Sequence, residues 1–139
     1  MVPNDEVIAE FREHAGRVGG WLAGTPVLLL HHVGARSGTT YVTPLAYQPL
    51  RGGFVIVGSN GGASADPGWC RNLRAHPRIE VEVGTETVVV RALELEDPAR
   101  AEIWPLLVAG APSLGEYQAT ATRRFPVFLL TPETEVSPQ

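Results

Sequence analysis

The apolar residues of this chain fall mostly in short runs that are typical of β-strands. The longest run, residues 27–33, lies between a proline and a glycine, and its compact apolar character predicts a buried strand. Residues 40–48 form the next predicted strand, in which Pro44 favours a sheet edge or a bulge because proline cannot donate to a β-ladder. The turn Gly52-Gly53 then predicts a hairpin that returns through residues 54–58.

A second hairpin is predicted where apolar and charged residues alternate. Residues 79–83 follow this alternation, the chain turns at Gly84, and residues 88–90 return. Such alternation is typical of strands with one face packed and the other in water. Residues 126–130 form the last apolar run and are expected to close the sheet.

Helices are predicted at the start of the chain and in the connections. Within residues 1–20, a polar pair can cap a helix whose apolar side chains recur at helical spacing until glycines end the pattern. Residues 60–65 are too rich in turn formers to be anything but a loop. The following Asp66-Pro67 predicts an N-cap with proline at the first helical position, and this helix should end near residue 75.

Two further helices are predicted in the second half of the chain. Asp97-Pro98 predicts the start of one of them, again with aspartate as the N-cap and proline at the first helical position. Ser113 and Glu116 match the capping box, which predicts the other over residues 114–122.

The pattern as a whole predicts one domain over residues 1–139 that is mainly β with α (α+β). About six antiparallel strands are joined by short helices, and a closed or half-closed barrel solves the problem of exposed strand edges for such a set. Residues 132–139 are expected to form a frayed tail.

Composition and charge restrict the chemistry. The net charge is −4, so a general affinity for nucleic acid is excluded and any anion site has to be local. All eleven basic residues are arginine, which excludes the lysine chemistry of Schiff bases and phosphate-binding loops. Cys70 is the single cysteine and is expected to be an inert small hydrophobe. No apolar run approaches ~20 residues and no export leader is recognised, so a cytoplasmic location is expected.

Three segments share a pattern of turn glycines, prolines and arginines at characteristic spacing. They are residues 27–45, with Gly-Ala-Arg-Ser-Gly at 34–38, residues 58–77, and residues 105–118 followed by 124–127. In order and spacing these segments resemble the deazaflavin-dependent nitroreductase family over nearly the whole chain. The resemblance implies a split β-barrel, FMN-binding-like in architecture. It also implies an oxidoreductase that transfers hydride from reduced coenzyme F-420 to a quinone, an enone or a nitro compound.

The resemblance further implies which residues form the site. Coenzyme F-420 has a tail made of a phosphodiester and glutamates. Binding this tail needs arginines and backbone N–H groups, which a glycine-bounded turn exposes. The residues expected to contact the cofactor are Arg36, Ser37, Gly38, Thr39, Pro44, Ser59, Asn60, Gly61, Trp69, Arg71 and Arg74. The candidate catalytic residues are Tyr117, His32 and Ser59, which would meet the substrate or supply a proton. No metal is expected, because His31 and His32 lie on opposite faces of a strand.

The chain departs from the family pattern at two places. The family turn carries Gly-Arg-Lys-Ser-Gly and an arginine soon after it, whereas this chain has Ala35 and Arg36 and then reaches Tyr41 without a further cation. Two positive charges are therefore missing, and Arg71, Arg74 or Arg78 is expected to replace them. Some relatives also place several tyrosines beside the substrate. This chain has Ala111 and Leu114 there and keeps only Tyr117, so a different acceptor is expected.

Ordinary structural roles compete with these assignments. Trp69 shares a helical face with Leu73 and suits the core, Tyr117 can pack beside apolar neighbours, and Ser59 can simply end a strand. Arg36 can be a solvated arginine in a hairpin turn.

Two other functions are consistent with the same residues. One is an FMN-dependent split-barrel oxidoreductase, and the other is a non-catalytic protein that binds deazaflavin or a hydrophobic ligand. A hydrolase is disfavoured because Ser59 lies in no nucleophile elbow, and a nicotinamide site lacks its Gly-x-Gly-x-x-Gly turn. The oligomeric state is left open.

Overall fold

Seven antiparallel strands and four helices make up the computed structural model, which describes residues 4–19 and 24–133. The strands are β1 (Val27–Val33), β2 (Thr40–Ala46), β3 (Gln48–Leu50), β4 (Gly53–Val57), β5 (Arg78–Val83), β6 (Glu86–Glu94) and β7 (Val127–Pro132). The helices are α1 (Asn4–Glu13), α2 (Gly68–Ala75), α3 (Ala99–Gly110) and α4 (Pro112–Thr120), with a short 3-10 turn at Asn60–Gly62.

The strand order shows that the sheet curls into a barrel. The order is β2-β1-β5-β6-β7-β4-β3, so β2 and β3 are its two edges. Only Tyr47 separates these edge strands along the chain, and its backbone N–H donates to the carbonyl of Pro26. Both edges must therefore lie close together, as in a half-closed barrel. The predicted α+β split barrel is confirmed.

The predicted strand over residues 40–48 is in fact two strands that belong to opposite edges. This division raises the strand count from the expected six or so to seven. Pro44 lies in β2, which pairs only with β1, so its predicted edge position is confirmed. An edge strand tolerates proline because one side of its backbone has no ladder partner.

β1 is buried on both faces, as its uninterrupted apolar run predicted. Leu28 and Leu30 pack inside the barrel, and the alternate residue Leu29 packs under Val7 and Phe11 of α1. On another side of the barrel, α3 covers the sheet in the same way with a separate apolar cluster. The outer faces of β1 and β4 thus lie under helices, whereas the exposed residues Glu80, Arg91 and Thr131 leave much of the outer face of β5, β6 and β7 open to water. The β1–β2 turn, exposed at residues 36–39, lies beyond the packed core.

A salt bridge holds α1 to the barrel wall. Arg12 donates to Glu82 with a 2.7 Å contact, and Nε2 of His31 lies 2.6 Å from the same carboxylate. The hydrogen bond from Arg12 is the main reason why the pKa of Glu82 is held below its ordinary value. His31 therefore faces the outside of the barrel, opposite to His32.

Three of the predicted helix starts differ from the structure, each at a proline. Pro98 is the N-cap of α3, which begins at Ala99, one residue later than Asp97-Pro98 predicted. α4 begins at Pro112 with Ala111 as its N-cap and no side-chain cap, so the predicted capping box of Ser113 and Glu116 is wrong. Proline takes the first helical position because it has no N–H to leave unsatisfied and its φ is already helical.

At α2, Pro67 is itself the N-cap and the helix begins at Gly68, one residue later than predicted. The carboxylate of Asp66 accepts a hydrogen bond from Arg123 instead of capping the helix.

Parts of the predictions lie outside the described residues. These are residues 1–3 and 20 of the predicted N-terminal segment and residues 134–139 of the predicted tail, so the single-domain prediction over residues 1–139 stays a prediction. The prediction that the frayed tail begins at residue 132 is wrong, because Pro132 ends β7 and the N–H of Glu133 donates to the carbonyl of Val89. Among the described residues, no helix has the length and apolar character needed to cross a membrane. The cytoplasmic location also stays a prediction.

Candidate functional site

A tight turn between β1 and β2 forms one wall of the site. The N–H of Gly38 donates to the carbonyl of Gly34 over 3.0 Å, and the N–H of Gly34 donates to the carbonyl of Thr39 over 2.7 Å. Gly38 has a φ of 72°, which favours glycine, and a Cβ at Gly34 would lie 2.5 Å from Oγ of Ser37. The sequence therefore dictates this turn, which carries Arg36.

An open cleft of about 430 Å³ lies between this turn and the start of α2. Its lining residues are His32, Gly34, Ala35, Arg36, Ser37, Tyr41, Thr43, Gly68, Trp69, Arg71 and Asn72. The lining contains two arginines and no carboxylate. In the described ranges neither Arg36 nor Arg71 forms an ion pair, so the cleft is locally positive on a chain of net charge −4.

A polar network crosses the inner end of the cleft. Nε2 of His32 lies 2.8 Å from Oγ1 of Thr43, and Nδ1 lies 2.9 Å from Nδ2 of Asn72. Oδ1 of Asn72 accepts from the backbone N–H of Ala35 over 3.0 Å. The ring of Tyr41 stacks on His32 with centroids 5.5 Å apart. Burial, and to a smaller extent the neighbouring His31, lowers the pKa of His32 and favours its neutral form.

Of the three arginines expected to replace the missing cations, only Arg71 lines the cleft. Arg74 donates to both carboxylate oxygens of Glu94, over 2.7 and 2.9 Å, and this contact raises its pKa. Arg78 donates to Glu133 over 2.8 Å. A carboxylate already neutralises each of these two arginines, so we do not assign Arg74 to cofactor binding.

The predicted loop residues form a second group that does not line the cleft. Asn60 and Gly61 lie in the 3-10 turn, and Ser59 precedes it. Arg123 holds this loop by donating to the carbonyls of Gly58, Ser59 and Ala63 and to the carboxylate of Asp66.

Tyr117 of α4 packs beside this loop. A Cβ built on Gly62 would lie 3.4 Å from its ring. The Tyr117 side chain is 42% exposed, which leaves it accessible to a small molecule. The loop and Tyr117 together form a half-exposed polar surface.

The remaining predicted residues divide between the cleft and its surroundings. Ser37 and Trp69 line it, while Gly38, Thr39 and Pro44 adjoin the lining residues in sequence without lining it themselves. Trp69 is also core: it is 5% exposed and its ring packs edge-on against Phe128. The two roles assigned to Trp69 are therefore compatible.

Cys70 is fully buried, and burial is the main reason why the pKa of its thiol rises to about 12. The thiol is thus an inert packing group, as predicted. In residues 4–19 and 24–133, no three histidine, cysteine or carboxylate side chains group together as a metal site.

Three side chains of the cleft that can form hydrogen bonds escaped the sequence analysis: Tyr41, Thr43 and Asn72. The other lining residues outside the predicted site are Gly34, Ala35 and Gly68. A weak signal existed for each of the three side chains. Tyr41 and Thr43 share one face of β2 because strand side chains alternate, and Asn72 follows Trp69 by three residues on α2, which places both on one side of that helix. None of these patterns indicates by itself that the face opens onto a cleft.

Comparisons with known proteins agree with this architecture. A family model described as F420H(2)-dependent quinone reductase matches residues 5–132. An F420H(2)-dependent quinone reductase of Mycobacterium tuberculosis (strain H37Rv) is 35% identical over 127 residues, which cover 88% of this chain and 85% of the relative.

Solved structures give the same result. One described as an F420-H2 dependent reductase has a TM-score of 0.68 and 34% identity, covering 76% of this chain and 93% of its own. Another, described as a domain-swapped dimer, has a TM-score of 0.71 and 32% identity over 91% of this chain and 92% of its own. These matches confirm the fold, enzyme class and cofactor that the resemblance implied. The chain therefore belongs to the F420H(2)-dependent quinone reductase family, a family of oxidoreductases whose cofactor is coenzyme F-420.

Proposed function

We propose that the cleft between the β1–β2 turn and α2 binds coenzyme F-420 and that the enzyme reduces quinones against the bound ring, on the side towards Ser59 and Tyr117. The observation that carries this proposal is the pair Arg36 and Arg71, which have no carboxylate partner among residues 4–19 and 24–133 and lie on a cleft whose lining contains no acid. Such a pair, unneutralised on an acidic protein, suits an anionic ligand.

The cleft fits both parts of the cofactor. Arg36, Arg71 and the glycine-bounded turn suit the acidic tail, because guanidinium groups bind phosphate and carboxylate through two parallel hydrogen bonds. The aromatic rings of Tyr41 and Trp69 suit a flat tricyclic ring system, and the volume of about 430 Å³ lies within the range typical of small-molecule sites.

The bound cofactor supplies two-electron hydride chemistry, so the protein has to bind, orient and exclude water. We assign binding to Arg36 and Arg71, and exclusion of water to the buried face of Trp69. The acceptor side is assigned to Ser59 and Tyr117, because both side chains are partly exposed beside the 3-10 turn. The Tyr117 hydroxyl is then the group placed to donate the proton that a quinone takes up with the hydride.

The proposal predicts selective binding and turnover. Purified protein titrated with F-420, FMN and FAD should change the fluorescence of F-420 at the lowest concentration, because only F-420 carries a long polyanionic tail for both arginines. Reduced F-420 should then be consumed with a quinone, and more slowly with a nitro compound. Tighter binding of FMN would contradict the proposal, and binding of F-420 without turnover of any acceptor would identify a carrier.

A further inference from the structure

The orientation of the Asn72 amide is fixed by the backbone. The N–H of Ala35 lies 3.0 Å from one end of this amide, and a backbone N–H can only donate. The amide oxygen must therefore face Ala35, and the NH2 group must face Nδ1 of His32, 2.9 Å away.

The orientation of Asn72 in turn fixes the tautomer of His32. Because Nδ1 accepts from the Asn72 amide, it carries no proton, and a neutral ring must carry its proton on Nε2. Nε2 then donates to Oγ1 of Thr43 over 2.8 Å. The ring is 6% exposed and stacks on Tyr41, so it has little freedom to turn over.

The hydroxyl of Thr43 is the last group in this series of hydrogen bonds. This oxygen accepts from His32, so its own proton is available to another group. No acceptor for that proton lies within hydrogen-bonding distance among the described residues, and Thr43 lines the cleft.

We infer that Asn72 is a positioning residue that acts through His32 to make the hydroxyl of Thr43 an obligate hydrogen-bond donor into the cleft. The group it recognises is a carbonyl-type oxygen, supplied either by the ring of the bound cofactor or by the quinone. The inference about the ligand rests on the proposed function, whereas the state of His32 does not.

The ligand-free protein tests the hydrogen-bond order directly. In 15N-histidine-labelled protein, with the His32 signals identified by their loss in His32→Gln, neutral His32 should show a proton on Nε2 and none on Nδ1 at pH 7. In Asn72→Asp the carboxylate can only accept, so Nδ1 should gain a proton. A wild-type ring protonated on Nδ1, or an Asn72→Asp ring that stays unprotonated there, overturns the inference.

The pair Thr43→Val and Thr43→Ser tests the donor in the presence of ligands. Valine removes the hydroxyl at nearly constant shape, so the dissociation constant of F-420 or the KM of the quinone should rise about tenfold, while serine should restore it. A rise in the dissociation constant of F-420 shows that the hydrogen-bond acceptor is on the cofactor, and a rise in the KM of the quinone shows that it is on the quinone. If valine changes neither, or serine fails to restore the loss, the donor role is wrong.

The two arms separate this inference from the proposed function. Failure of the wild-type protein to bind F-420 would contradict the proposed function and the ligand assignment, while the NMR result would still decide the role of Asn72. Thermal unfolding of Thr43→Val serves as the folding control. If that variant does not fold, Thr43→Ala, which also removes the hydroxyl, takes its place in the binding arm, and the NMR arm decides the role of Asn72.

Discussion

Replacing Arg36 and Arg71 together by glutamine should weaken F-420 binding by about a hundredfold. A charge-assisted hydrogen bond contributes about 1.5–3 kcal/mol, and both side chains are exposed, so we take the lower end, about tenfold for each arginine. The two losses of binding free energy should roughly add, because the arginines lie on opposite walls of the cleft and bind different parts of an extended tail. Fluorescence titration of the single and double variants measures the dissociation constant of F-420 for each.

A control with the same charge change is available on the barrel surface. Arg78 and Arg91 pair across β5 and β6, both contact Glu133, and neither lines the cleft. The double variant Arg78→Gln/Arg91→Gln should therefore bind F-420 within about twofold of the wild-type protein. Added salt should weaken wild-type binding more than binding by the cleft variant, because screening acts on exposed charges. Equal losses in both double variants would mean that only the net charge matters.

The largest loss of stability outside the apolar core should follow from Arg123→Ala. The Arg123 side chain is 15% exposed, and its guanidinium donates to the carbonyls of Gly58, Ser59 and Ala63 and to the carboxylate of Asp66. Removing it leaves several partly buried carbonyls unpaired, and since one such acceptor costs about 1–3 kcal/mol, the free energy of unfolding should fall by about 3 kcal/mol. Urea denaturation measures the change.

Two variants show whether geometry or charge is responsible. Arg123→Lys keeps the charge but loses the planar fork that reaches several carbonyls at once, so it should recover only part of the loss. Arg124→Ala removes a neighbouring arginine that has one exposed contact to Asp97, and it should leave the free energy of unfolding nearly unchanged. If Arg123→Ala costs no more than Arg124→Ala, the loop does not depend on this side chain.

Much of the fold was predictable because local rules and tertiary packing agree. The run at residues 27–33 became a strand buried on both faces, and the alternation at residues 79–83 became a strand paired in a hairpin. The division of residues 40–48 was not predictable. Tyr47 is no turn former, and the break follows from the closure of the barrel, in which two edges share one segment.

The site was predictable where its shape depends on local backbone, and only there. Glycines at 34 and 38 predict a tight turn and therefore the position of Arg36. The ion pair of Arg74, by contrast, depends on the tertiary fold that brings Glu94 close to it. Arg71 and Arg74 look equivalent in sequence, but in the fold Arg71 lines the cleft whereas Arg74 pairs with Glu94 and Asp66. The contact between Asn72 and His32 joins residues forty positions apart, so no local pattern indicates it.

The most direct test of the central claim is to map where F-420 binds by amide chemical shifts. On titration of 15N-labelled protein with F-420, the largest shifts should fall on residues 34–38 and 68–72, the two walls of the cleft. Residues 99–110 of α3 pack on another side of the barrel and should stay nearly unchanged. Saturable shifts centred on α3, with the β1–β2 turn unmoved, would contradict the account.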